Sequence, residues 1–157
     1  MKLTTIAVLA LTCQLGWTQA TKESPKMHAA GAFDVKLAPQ QLKDTSDPNL
    51  ARITLDKQYH GDLEAIAHGE MLTAATSIQN SAGYVAIEKV TGKLYGKAGT
   101  FVLQHSATMN RGTPEMNIIV VPDSGTGELA GLSGRMKIVI NGGKHSYEFD
   151  YQLPATR

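Results

Sequence analysis

Apolar and polar residues alternate along most of this chain, which is the pattern of half-buried β-strands. The clearest case lies near the end, where one face carries Tyr147, Phe149, Tyr151 and Leu153. The same period predicts seven further strands, over residues 32–38, 52–59, 63–75, 84–95, 100–109, 116–121 and 135–140. Helix is the competing interpretation for 63–75, because Ala, Glu and Met favour it. Gly69 and the neighbouring strand patterns favour a strand there.

Short turn sequences separate these strands, and Asn141-Gly142-Gly143 is a strong hairpin signal. Eight antiparallel strands can close into a barrel that is filled by side chains or holds one small ligand. Closure also removes exposed sheet edges. The sequence therefore predicts an all-β protein, a closed eight-stranded antiparallel barrel with little or no helix. A two-sheet sandwich is the alternative.

The segment Ser124–Gly134 is rich in glycine and superficially suggests a phosphate-binding loop. It lacks the Lys-Ser or Lys-Thr ending and the following helix that such a loop requires. Its glycines, at 125, 127, 131 and 134, favour a tight bend with close backbone approach at a barrel corner.

The N-terminus has the features of a secretory signal: Lys2, an apolar run to about Leu15, and small residues before a cut after Ala20. An uncleaved anchor is the alternative. We expect a signal peptide over 1–20, a disordered leader over 21–30 and one barrel domain over 31–154. Cleavage would remove Cys13, the one cysteine, so disulfide and thiol chemistry are not expected. The predicted location is secreted or periplasmic.

Charge excludes some classes of partner. Lys and Arg number 15 against 14 Asp and Glu, for a formal net charge of +1. The chain has no basic block of the kind that binds nucleic acid, so nucleic acid is not expected as a partner. It has no second long apolar segment, so no integral membrane segment is expected in the mature chain.

Several motifs resemble the bacterial "domain of unknown function 3224" family. They cover nearly all of the mature chain: Gly61–Glu64, His68–Leu72, Gly83–Glu88, Gly99–His105 and Val121–Leu132. The resemblance implies a small closed barrel of calycin-like shape, similar to allene oxide cyclase and dirigent barrels, and assigns no activity or cofactor. Related barrels often associate, so the resemblance leaves room for a homo-oligomer, although the sequence itself shows no interface.

Two residues with inward parity could carry chemistry. His105 shares parity with Phe101 and Leu103, so it could act as a base or orient a ligand, or be a hydrogen-bonded core histidine. Glu88 shares parity with Tyr84 and Val90. An inward carboxylate needs a partner or titrates high. The two residues are not directly opposed, which leaves a diagonal or a water-mediated approach.

Glu70 and Tyr84 complete the predicted ligand-binding set with Glu88 and His105. Glu70 shares a face with His68, Ile66 and Leu72. His68, Glu70 and His105 are residue types that could bind a metal ion together. The histidines are scattered along the sequence, however, and no metal or cofactor is expected.

Three functions remain open. The first is a non-catalytic barrel that binds a small, mostly apolar molecule in its interior. The second is a cyclase- or isomerase-like enzyme that uses Glu88 or His105. The third is a structural barrel with a filled interior, acting through oligomer or partner surfaces. A cavity lined by Glu88 and His105 would favour the ligand-binding and enzyme functions over the structural one. A raised pKa of Glu88 would favour the enzyme. A filled interior with an exposed apolar patch would favour the structural barrel.

Overall fold

The structure, a computed structural model, describes residues 24–42 and 47–154. Eight antiparallel strands close into a barrel in sequence order, with β8 paired back to β1. Within the described residues, no helix is long and apolar enough to cross a membrane. The predicted closed eight-stranded barrel is confirmed. The strands are β1 Lys26–Gln40, β2 Leu50–Gly61, β3 Leu63–Ala75, β4 Ala82–Leu94, β5 Lys97–Asn110, β6 Thr113–Val120, β7 Ser133–Asn141 and β8 Lys144–Gln152.

The first strand is longer than its alternation predicts. β1 begins at Lys26, which pairs with Gln152 on β8. The assignment of residues 26–30 to a disordered leader is therefore wrong. Closure of the barrel gives this segment a partner from the far end of the chain, which local pattern cannot reveal. The predicted signal peptide, with Cys13, lies outside the described residues.

Strand β3 confirms the strand prediction for 63–75, and the helical alternative is wrong. Its inward positions carry Leu63, Ala65 and Ala67, all buried, whereas Ile66 and Leu72 are exposed on the outer wall. Directly above Leu63 the inner face of β3 is thus lined by small residues, whereas the larger Ile66 and Leu72 face outward.

The two ends of the barrel differ. We call lower the end with the β2–β3 and β4–β5 turns, and upper the end with the β3–β4, β5–β6 and β7–β8 turns. The lower half is filled by large side chains that are almost entirely buried, including Leu63, Leu94, Phe101, Tyr147 and Phe149. The Phe101 and Phe149 rings stack with centroids 5.9 Å apart.

The glycine-rich segment Ser124–Gly134 is structural, as predicted. It contains a 3₁₀ turn, Gly127–Leu129, and adds Leu129 and Leu132 to the core. Gly127 and Gly131 adopt φ values of 60° and 77°, a conformation that side chains other than glycine rarely tolerate.

Candidate functional site

A buried ion pair lies at mid-height inside the barrel. Lys57 Nζ of β2 is 2.7 Å from Glu88 Oε2 of β4, and the side chains are 6% and 0% exposed. Glu88 Oε2 has no hydrogen-bond partner among the described residues, so the contact is an ion pair at close range. Buried charges persist in folded proteins when they are paired in this way.

Two further side chains complete the cluster. The Tyr59 hydroxyl donates a hydrogen bond of 2.7 Å to Glu88 Oε1, and Lys57 Nζ donates one of 3.3 Å to the Tyr59 hydroxyl oxygen. His105 Nε2 is 3.6 Å from Glu88 Oε1, which is too long for a hydrogen bond, and it has no other hydrogen-bond partner. The Lys57 ammonium also lies 5.0 Å from the centroid of the Phe33 ring, within range of a cation–π contact.

Small residues on β3 allow this cluster to form. Lys57 is opposite Ala67, and Glu88 is opposite Gly69, so β3 separates the two charged residues. A Cβ on Gly69 would lie 2.3 Å from the Ile87 carbonyl oxygen and 2.7 Å from the Glu88 Cα. Because Ala67 and Gly69 are so small, the Lys57 and Glu88 side chains can meet above them.

The cluster holds Glu88 in its charged form. Burial alone would raise the pKa of Glu88, but the nearby His105 and Lys57 outweigh it and lower the pKa to about 2. Burial, together with the charge of Glu88 and the hydrogen bond to it, raises the pKa of Tyr59 well above its usual value. At neutral pH the carboxylate is therefore ionised, and it is a weak base.

Above the cluster, the barrel opens into an apolar mouth. The inward positions Val35, Ile53, Met71, Tyr84 and Ile138 are half-buried. At the rim, residues of the same parity are more exposed: Leu37 52%, Met109 40%, Met116 42% and Ile140 62%. A cavity of about 170 Å³ within this mouth is lined by Tyr84, Ala107, Met109 and Met116, among others. We use "the mouth" for this ring of nine side chains.

The structure brings three of the four predicted ligand-binding residues together. Glu88 and His105 are buried at the floor of the mouth, and their diagonal approach is confirmed, since His105 is opposite Ala86. Tyr84 stands two inward positions above Glu88, and burial and then the charge of Glu88 raise its pKa.

Glu70 is on the other side of the wall. It is exposed on the outer surface and bonds Arg52 through its two carboxylate oxygens, at 2.5 and 2.9 Å. His68 also points outward, 2.6 Å from Asp56. The prediction that Glu70 faces the interior is therefore wrong. His68 and Glu70 are separated from His105 by the barrel wall, so these three residues do not share a site. Within residues 24–42 and 47–154, no three His, Cys, Asp or Glu residues are grouped to hold a metal ion.

Lys57 and Tyr59 were missed as site residues, although the sequence carried a signal. Both share the inward parity of Leu55 on β2. A lysine at an inward position implies a buried carboxylate partner, and Glu88 was the inward carboxylate that needed one.

A larger hollow lies elsewhere on the surface. It measures about 670 Å³ and lies on the outer wall beside β1, β7 and β8, lined by Met27, Ile119 and Tyr151 among others. No member of the Lys57–Glu88 cluster lines it. This hollow is therefore separate from the buried ion pair.

Fold and site define a class: a small, closed, eight-stranded antiparallel barrel with a packed lower half and a buried ion pair beneath an open apolar mouth. The chain matches the model of "Protein of unknown function (DUF3224)" over residues 29–151, and it belongs to that family. It is similar to the crystal structure of a DUF3224 protein of unknown function from Shewanella oneidensis MR-1. The two share 47% sequence identity with a TM-score of 0.80, over 84% of this chain and 100% of that one. No curated protein matches the chain.

Proposed function

We propose that this barrel binds a small, mostly apolar molecule in the mouth, above the Lys57–Glu88–His105 floor. The observation that carries the proposal is the ring of inward-facing apolar side chains that remain partly exposed, with Met116 at 42% and Ile140 at 62%. Apolar surface that is left open inside a concave site is typical of ligand pockets, which add a few polar groups for orientation.

The polar floor supplies those orienting groups. Lys57 carries three N–H donors, and Glu88 and Tyr59 are its polar contacts here. His105 Nε2 is buried without a hydrogen-bond partner. A ligand with one polar group could therefore be oriented by Lys57, by His105 or by the half-buried hydroxyl of Tyr84. The packed lower half supports placing the ligand in the upper half instead of along the whole barrel.

A matched pair of variants tests this proposal. Met116→Glu places a charge on the inner face of the mouth, and Ile87→Glu places the same charge on the outer wall, where Ile87 is 51% exposed. We expect native mass spectrometry of protein from its own organism to show a stoichiometric apolar adduct that Met116→Glu loses and Ile87→Glu keeps. A bare mass for the unmodified protein, together with no binding of 1-anilinonaphthalene-8-sulfonate, would refute the proposal.

The enzyme alternative has weaker support. A cyclase- or isomerase-like role for Glu88 calls for a carboxyl group that exchanges protons near neutral pH. The pKa of Glu88 is instead lowered to about 2. For Glu88, electrostatic stabilisation of a cationic intermediate is the form of this alternative that remains. Glu88→Gln in a turnover assay with any identified ligand would test it.

An interaction function has one specific observation in its favour. Leu72, Val85 and Ile87 are each more than half exposed on the outer wall, and they line a hollow of about 590 Å³ beside the Arg52–Glu70 pair. Exposed apolar patches of this kind often mark contacts between proteins. Sedimentation of the full-length protein and of Ile87→Glu would reveal a homo-oligomer that depends on this patch.

We also propose that the protein is exported, on the sequence of residues 1–20 alone. Cell fractionation with intact-mass measurement tests the proposal. A mature mass that begins at Thr21 in the exported fraction supports it, and a full-length protein in the cytoplasmic fraction contradicts it.

A further inference from the structure

The barrel wall has an opening between β6 and β7. Among the described residues, these strands pair at Ile118–Met136 and Ile119–Arg135 alone. The pairing of each strand with its other neighbour extends much further towards the upper rim. β5 pairs with β6 up to Asn110–Thr113, and β7 pairs with β8 up to Asn141–Lys144. Residues 113–117 and 137–141 therefore diverge, and they leave a notch that runs from mid-wall to the upper rim.

The notch is apolar inside and charged outside. Met116, Ile118, Met136 and Ile138 have inward parity and line a cavity of about 330 Å³. Lys137 and Glu148 stand on its outer side, 3.7 Å apart. Arg135 donates a hydrogen bond to the Asn117 side chain across the two strands, which closes the notch at its lower apex.

The notch and the mouth share a side chain. Met116 lines both the 330 Å³ cavity and the 170 Å³ cavity, which Met109 also lines. The mouth cavity, at about 170 Å³, is smaller than the roughly 300–1,000 Å³ of typical ligand pockets, whereas the notch cavity, at about 330 Å³, falls within that range. Methionine is flexible and adapts to apolar chains of different shape.

We propose that the notch holds the hydrocarbon chain of an elongated ligand whose other end lies in the mouth. This inference rests on the proposed function and deepens it: the ligand class is an extended, chain-like apolar molecule, not a compact one. A closed wall would limit the ligand to the mouth. An open, apolar notch lets each further methylene leave water without enlarging the mouth itself.

Calorimetry with simple alcohols tests the inference. We expect the affinity of the unmodified protein to rise from 1-hexanol through 1-octanol to 1-decanol by about fifteenfold per step, from about fourfold for each buried methylene. Ile138→Trp, which fills the notch, should abolish this gain, so that its affinities for the three alcohols become nearly equal. Val139→Trp, on the outer side of the same strand, is the matched control.

A second variant removes folding from the comparison. Ile138→Cys in a Cys13→Ser background is folded first and then blocked with N-ethylmaleimide, and we expect the blocked protein to behave as Ile138→Trp does. If the compact alcohol 1-adamantanol binds but 1-decanol gains nothing over 1-hexanol, or if the blocked protein keeps the gain, the inference is wrong and the proposed function stands. If no alcohol binds, both fail.

Discussion

A double-mutant cycle on Lys57 and Glu88 tests whether the buried ion pair governs the stability of this barrel. Glu88→Gln keeps the acceptor for the Tyr59 hydroxyl and leaves the Lys57 ammonium without its carboxylate. Lys57→Met keeps the volume of the side chain and leaves the carboxylate without its ammonium. The double variant leaves neither charge unpaired.

The magnitudes follow from burial. Both side chains are nearly inaccessible, at 6% and 0% exposure, and breaking a buried pair by removing one partner costs about 3–5 kcal/mol. We expect Glu88→Gln to lower the free energy of unfolding by about 3 kcal/mol, since Lys57 keeps its contacts with the Tyr59 hydroxyl and the Phe33 ring. Lys57→Met should cost more, because a carboxylate stays in the core. The double variant should lose about 2 kcal/mol or less, because an apolar replacement of a buried pair is often close to neutral.

Urea and thermal denaturation measure the stability of the unmodified protein and the three variants. At about 3 °C per kcal/mol for a chain of this size, each single variant should lower Tm by about 10 °C or more, and the double variant by clearly less than either. The exposed pair of Arg52 and Glu70 provides the control cycle, in which the same substitutions should leave Tm almost unchanged. Additive losses at Lys57 and Glu88 would refute the reasoning, as would single variants no worse than the exposed pair.

Three other outcomes follow from the same packing. The pKa of Glu88 falls from 4.5 to about 2 on folding. Its contribution to the free energy of unfolding is therefore complete above about pH 4.5 and is lost as pH falls towards 2. Urea titrations should show that the difference in stability between the unmodified protein and Glu88→Gln shrinks over that window. Gly69→Ala should cost about 1–3 kcal/mol of overpacking in the same assay, since its Cβ would lie 2.3 Å from a carbonyl oxygen, whereas Gly83→Ala, with nothing nearer than 3.6 Å, should be tolerated. Tyr147→Phe should cost about 1–3 kcal/mol, because its hydroxyl accepts from the buried Leu63 N–H at 2.8 Å; equal stability on thermal melting would show that water replaces it.

The inner and outer faces of β3 show where sequence reasoning failed. Alternation places His68 and Glu70 on one face with Ile66 and Leu72, and the larger apolar residues suggest that this face is buried. The structure buries Ala65 and Ala67 instead. Period-two alternation shows which residues share a face, but it does not show which face is inside. That choice depends on the space that neighbouring strands leave.

Much of the architecture was determined by the sequence itself. Alternation, turn glycines and length predict eight antiparallel strands and their closure, and parity places Glu88 and His105 inside. Those predictions depend on local periodicity, which is visible in the order of the residues themselves. The tertiary structure alone decided that Lys57 and Tyr59 meet Glu88 across β3, that Glu70 stays outside, and that β6 and β7 diverge into a notch. Each of these depends on the register of strands that lie far apart along the chain, and register follows from the packing of the whole barrel.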